Sequence, residues 1–199
     1  MRQFLILSLM CFFFSTLGHA QYRQGDGELI LLGTVGSVTT TTELTFADPS
    51  VPGSTSSSER LYLYVAATPA YYLINGLSAE LELGLRTLKG VRPAQSAVLH
   101  LSYTQSRRRS IVAWFLRGGY GVANGLAVPV YDNISRLTDG FDVGIISLGA
   151  GLKIRPAGRG LIRIEANYRI QMYETGDALY TMDHTVSSLA LLLGVGFVL

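Results

Sequence analysis

Nine ionisable residues recur at alternate positions within five stretches of this chain: Glu80, Glu82 and Arg86; His100; Arg117; Lys153; and Arg163, Glu165 and Arg169. Three carboxylates, five fixed cations and one imidazole on a shared face could do one of two things. Enclosed in a narrow, low-dielectric space they must pair with one another, because an unpaired buried charge costs far more than a pair. The product is then an ion-pair network that fills the enclosure. Alternatively Arg117, Arg163 and Arg169 form a gated narrow pore or a ligand pocket. Catalysis has little support: His100 has neither a cysteine partner nor a serine elbow, and no enzymatic activity is expected. His184 stands beside Asp183, with Glu174 and Asp177 close in sequence, but their spacing matches no metal cage and reads as a solvated acidic loop. No metal and no cofactor are expected.

The stretches that carry these residues alternate with period two, as a strand does when its faces meet different surroundings. Over 160–174, Ile162, Ile164, Ala166, Tyr168, Ile170 and Met172 take one parity, while Arg163, Glu165, Asn167, Arg169 and Gln171 take the other. A helix would scatter those charges around its whole circumference. The same two-faced pattern runs through 76–89, 96–105, 110–123 and the final segment to Leu199. It runs less sharply through 60–73 and 141–155. In 60–73, Pro69 falls on the apolar parity and predicts a bulge or a local break, since proline donates nothing to a ladder. Segment 28–39 alternates so weakly that its faces stay unassigned. The total is eight strands.

Composition narrows the setting. Of 199 residues, 48% are hydrophobic and only 15% charged, with a formal net charge of +2, which argues against a disordered chain and against a nucleic-acid partner. The long apolar run lies at the N-terminus. Met1-Arg2-Gln3 begins it, Phe4 to Leu17 continues it, and Gly18-His19-Ala20 supplies small residues before Gln21, the pattern of a secretory signal peptide over residues 1–20. The lone cysteine, Cys11, falls inside that leader, so the mature domain, 21–199, is expected to contain no disulfide and no thiolate site.

The connections point to a membrane setting. Ile74-Asn75-Gly76, 106–109 and 156–160 read as tight turns, whereas 40–59, 124–140 and 175–185 read as long loops. Alternating short and long joints are typical of bacterial transmembrane barrels, whose turns are short on the periplasmic side and whose loops are long outside. The segments are also long enough for the roughly 9–11 tilted residues that crossing the hydrocarbon takes. Tyr71, Tyr72, Tyr103 and Phe197 are expected toward the periplasmic girdle, Tyr173 and Tyr180 toward the outer one.

The layout resembles the small outer-membrane β-barrel family, the eight-stranded OmpA/OmpX-type group, over 28–199. Its C-terminal strand, Gly194-Val195-Gly196-Phe197-Val198-Leu199, is similar to the family's closing signal, although such strands usually end in Phe and this one ends in Leu199. The resemblance implies an all-β fold, an eight-stranded antiparallel up-and-down transmembrane β-barrel, monomeric and embedded in outer-membrane lipid. It also implies recognition of Gly194, Phe197 and Leu199 by the barrel-assembly machinery. The expected role is structural or surface interaction through the loops 40–59 and 124–140. A narrow passive pore or small-ligand transporter is the alternative. A soluble periplasmic ligand-binding barrel is a further one, because period two separates two faces without saying which is inside.

Overall fold

The computed structural model describes residues 22–46, 48, 50–87, 93–106, 110–124, 143–156, 159–176 and 180–199. Eight strands follow one another: β1 (Gly27–Phe46), β2 (Ser54–Ile74), β3 (Leu77–Thr87), β4 (Ala94–Ser106), β5 (Val112–Asn124), β6 (Val143–Ile154), β7 (Gly160–Gly176) and β8 (Tyr180–Val198). Each pairs antiparallel with its chain neighbours, and β1 pairs with β8, so the sheet closes in the order β1 to β8. Closure leaves no unpaired edge around the ring, the condition for a sheet immersed in lipid.

Facing follows the charges. The nine ionisable residues singled out above point inward and the aliphatic parity points out: Leu31, Leu83, Leu101, Leu148, Leu191 and Val195 are all exposed. This overturns the soluble-barrel alternative, which needs the opposite facing. The first strand, unassigned in the sequence, buries Glu28, Ile30, Leu32, Val38 and Thr40. The inner wall is itself divided. Ile30, Leu32, Tyr62, Val186 and Leu192 belong to an apolar cluster on the β1–β2–β8 side.

Two of the expected long loops are mostly strand. Residues 40–46 and 54–59 continue the β1–β2 ladder through Thr40↔Ser58 and Leu44↔Ser54. Residues 175–176 and 180–185 continue β7 and β8 through Gly176↔Thr181. Ser/Thr-rich stretches without apolar alternation look like loops, yet they pair here because the ladder is made by backbone groups and needs no apolar alternation. The loop 124–140 falls almost wholly outside the described residues.

Of the two expectations for Pro69, the local break holds and the bulge does not. Pro69 pairs across from Leu29 in an unbroken β1 ladder, and on the β3 side the pairing skips Thr68 and Pro69 and resumes in the same register at Ala70↔Glu80. The register shift comes later, between Tyr72 and Ile74, next to the Asn75-Gly76 turn, where Gly76 takes a φ of 80° that a side chain would strain. At the closing seam the β1–β8 pairing lapses between Gly33 and Ser37. There the Thr34 hydroxyl donates to the Leu191 carbonyl at 2.6 Å and ties the strands together.

Candidate functional site: a charged network inside the barrel

All nine ionisable residues singled out in the sequence lie in the lumen and are buried, with Glu28 beside them. In a ring of eight strands β3 stands opposite β7, so Glu80 and Glu82 face Arg163 and Arg169 across the interior. Arg163 donates to Glu80 (Nη1 to Oε2, 2.9 Å), and through Nε to Glu165 on its own strand at 2.9 Å. Arg169 donates to Glu82 at 2.5 Å and to the Asn167 side-chain carbonyl at 2.7 Å. Arg117, from β5, joins the halves: Nη2 donates to Glu82 and Nε to Glu165, each at 2.7 Å, while Nη1 lies 3.5 Å from Glu80. Tyr64 donates its phenol to Glu82. The three arginines considered above for a pore are thus each held by at least one carboxylate.

Toward the end of the barrel that carries both chain termini, Lys153 forms a second node. Its Nζ donates to Glu28 at 2.7 Å and to the Tyr72 hydroxyl at 2.9 Å, and lies 3.6 Å from Glu80. Tyr22 closes that end. Its ring stacks on Tyr72 with centroids 5.3 Å apart, its carbonyl accepts from Gly76 N at 3.1 Å, and Lys153 and Arg155 lie over its face. Burial, reinforced by the Glu28 carboxylate, pushes the Tyr22 phenol well above its ordinary range. Tyr72, expected in the lipid-facing girdle, is instead an inner-wall residue, because the girdle position belongs to its exposed neighbour Tyr71.

Other sequence candidates fall differently. His100 is buried over Gly119, with Nε2 3.7 Å from Glu82; neither ring nitrogen makes a hydrogen bond among the described residues. His184 lies in β8 rather than in a loop, with Nδ1 3.0 Å from the Thr42 hydroxyl. Burial lowers its pKa while Asp183 opposes the shift. Asp177 is outside the described residues, as is the leader 1–20. Gly194 faces inward against Leu32, whereas Phe197 and Leu199 are exposed on the outer face.

The sequence reading missed Glu28, Tyr64, Tyr72 and Tyr22 as members of the network. One signal was present: the inner face read from the sequence held three carboxylates against five fixed cations, so a further acid was needed. Glu28 supplies it.

Inward glycines make the space these long side chains occupy. A Cβ at Gly84 would stand 2.2 Å from the Tyr64 hydroxyl, and one at Gly149 would stand 2.2 Å from Glu165 Oε1. At Gly151 the obstacle is backbone, the Ile164 carbonyl oxygen at 2.0 Å. Gly151→Ala is therefore expected to cost about 1–3 kcal/mol by overpacking. Gly118→Ala, whose Cβ would meet nothing nearer than Leu148 at 3.4 Å, should be close to neutral. Urea unfolding of the two variants in lipid vesicles checks the contrast.

A closed antiparallel ring of eight strands, apolar outside and ionic inside, defines an up-and-down transmembrane β-barrel, the fold also found in small outer-membrane proteins. Comparison with solved structures agrees. The chain is similar to outer membrane protein OprG from Pseudomonas aeruginosa, with a TM-score of 0.54 at 12% identity over 89% of this chain and 97% of that one. The N-terminal β-barrel domain of Pseudomonas aeruginosa OprF matches with a TM-score of 0.48 at 16% identity, covering 88% and 98% of the two chains. The OprG likeness carries the fold statement. No protein-family model matches the chain, and no curated protein does.

Proposed function

We propose that this chain is an integral outer-membrane protein with a structural and surface-interaction role, its lumen plugged by its own side chains rather than open to solutes. The observation that carries the reading is the set of ion pairs spanning the interior: Arg163 to Glu80, Arg169 to Glu82, Arg117 to Glu165 and Lys153 to Glu28. An eight-stranded barrel is just wide enough for side chains to fill, and these fill it with partnered charge. In this reading residues 1–20 are a leader removed on export, both termini face the periplasm, and the strand ending Gly194-Val195-Gly196-Phe197-Val198-Leu199 is presented to the barrel-assembly machinery.

The unequal strands support the surface role. β1, β2, β7 and β8 run 20, 21, 17 and 19 residues, against 11 to 13 for β3 to β6. Crossing the hydrocarbon takes only ~9–11 residues, so four neighbouring strands project beyond the apolar band as one sheet. Among the described residues, β2 from Ser54 to Tyr62 pairs with β1 alone.

Single-channel recording in planar bilayers tests the plug. The wild-type barrel is expected to be electrically silent, and Glu80→Ala combined with Arg163→Ala, which empties the middle of the lumen without leaving a lone charge of that pair, to leak. Steady wild-type steps that vanish in Arg163→Ala would sink the plug and establish the pore.

A further inference from the structure

We propose that the lumen holds, at the end opposite the chain termini, a binding site for a small carboxylate monoanion, centred on Arg86. The charge balance is the first observation. Among the described residues the interior buries four carboxylates, Glu28, Glu80, Glu82 and Glu165, against five fixed cations. Four of those cations, Arg117, Lys153, Arg163 and Arg169, lie in ion pairs with these carboxylates. Arg86 does not. Among the described residues one positive charge is left over, and it is localised on Arg86.

The second observation is how Arg86 is held. It is only 5% exposed, and its guanidinium reaches across the barrel from β3 to β7, where Nη1 donates to Gln171 Oε1 at 3.1 Å. One face lies over the Tyr62 ring, 4.9 Å from the centroid. These two contacts orient the group and leave the Nε–Nη2 edge without a partner among the described residues. That edge presents two parallel N–H donors, the geometry a carboxylate accepts with both oxygens. The nearby Arg169 uses Nη2 on Glu82 and Nε on Asn167 and adds positive potential.

The surroundings select the charge and size of the anion. Gln171 is flanked in the ladder by Ile145 on β6 and Val186 on β8, both buried and apolar. A dianion would overcompensate the single excess charge and be desolvated against hydrocarbon. A monocarboxylate matches the single excess charge counted among the described residues, and a short body keeps its desolvation small.

The test is NMR of the full chain in lipid nanodiscs, following the Arg86 Nε–Hε signal and the backbone amides of Ala94 and Gln171 while acetate is added, with sodium chloride at matched ionic strength as the control. Saturating shifts at millimolar acetate are expected, larger than those of chloride. Arg86→Gln should weaken the amide response at least tenfold, and Arg86→Lys, which keeps the charge and loses the fork, should weaken it severalfold. Both variants should keep the heat-modifiable gel migration of a folded barrel. Shifts that never saturate, that chloride reproduces, or that persist unchanged in folded Arg86→Gln overturn the site. Because the readout is binding rather than current, it can fail while the plug stands, and the reverse.

Discussion

Replacing Glu82 with leucine is expected to destabilise the folded barrel by about 3–5 kcal/mol, the usual cost of removing one partner from a buried ion pair. Glu82 accepts from three side chains in the lumen: Arg117, Arg169 and the Tyr64 phenol all donate to it. Its loss leaves two guanidiniums short of a carboxylate in a space that already holds more cations than acids. Arg117 retains Glu165 at 2.7 Å, whereas Arg169 is left without a carboxylate among the described residues, with the Asn167 carbonyl and the Tyr64 ring at 4.4 Å as its contacts. The larger share of the cost therefore falls on Arg169. Adding Arg169→Met to Glu82→Leu should recover part of the loss, because an apolar pair of similar volume removes the stranded charge together with its partner. Urea midpoints of the wild type, both single variants and the double variant in lipid vesicles measure the coupling. Additive losses would show that the two side chains do not act as a pair.

Lys153→Met is expected to cost about 3 kcal/mol by the same reasoning and to have a second, local effect. Without the ammonium, Glu28 keeps only the Tyr72 phenol, at 3.3 Å, among the described residues. The aromatic rings gathered around Lys153, those of Tyr22, Tyr72 and Phe115 at 5.4–5.6 Å, lose their shared cation. Tyr22 is tied to the barrel by little else beyond its stacking on Tyr72, the Arg155 guanidinium over its ring and the bond from Gly76. The segment from Tyr22 to Asp26 should then open more often than the barrel unfolds. Limited proteolysis of the reconstituted protein should trim the N-terminus of Lys153→Met faster than that of wild type, with the barrel itself still resistant. Trimming at the wild-type rate would show that Lys153 does not help to seat Tyr22.

Much of the architecture was legible in the chain because a strand between lipid and a charged lumen must alternate, and an alternating sequence can be read without coordinates. Arg163, Glu165, Asn167 and Arg169 against Ile162, Ile164, Ala166 and Tyr168 is such a case, and β3 and β4 read the same way. Where both parities carry similar residues the reading stopped. Ile30 and Leu32 are as apolar as Leu29 and Leu31, so the facing of β1, and with it the role of Glu28, could not be assigned. The extents of β1, β2, β7 and β8 were underestimated for a related reason, since outside the apolar band both faces are polar and period two vanishes although the ladder continues.

By itself, then, the sequence determined that eight two-faced strands exist, that their charges share one face, and that the ends of the chain lie on the same side. Local alternation is a property of neighbouring residues and needs no partner strand. Only the tertiary structure decided which face is inside, which carboxylate each paired cation holds, and that Arg86 holds none among the described residues. Those outcomes depend on closure. The ring sets β3 against β7 and brings Glu28, 125 residues from Lys153, within 2.7 Å of it, and no spacing along the chain encodes distances across the ring.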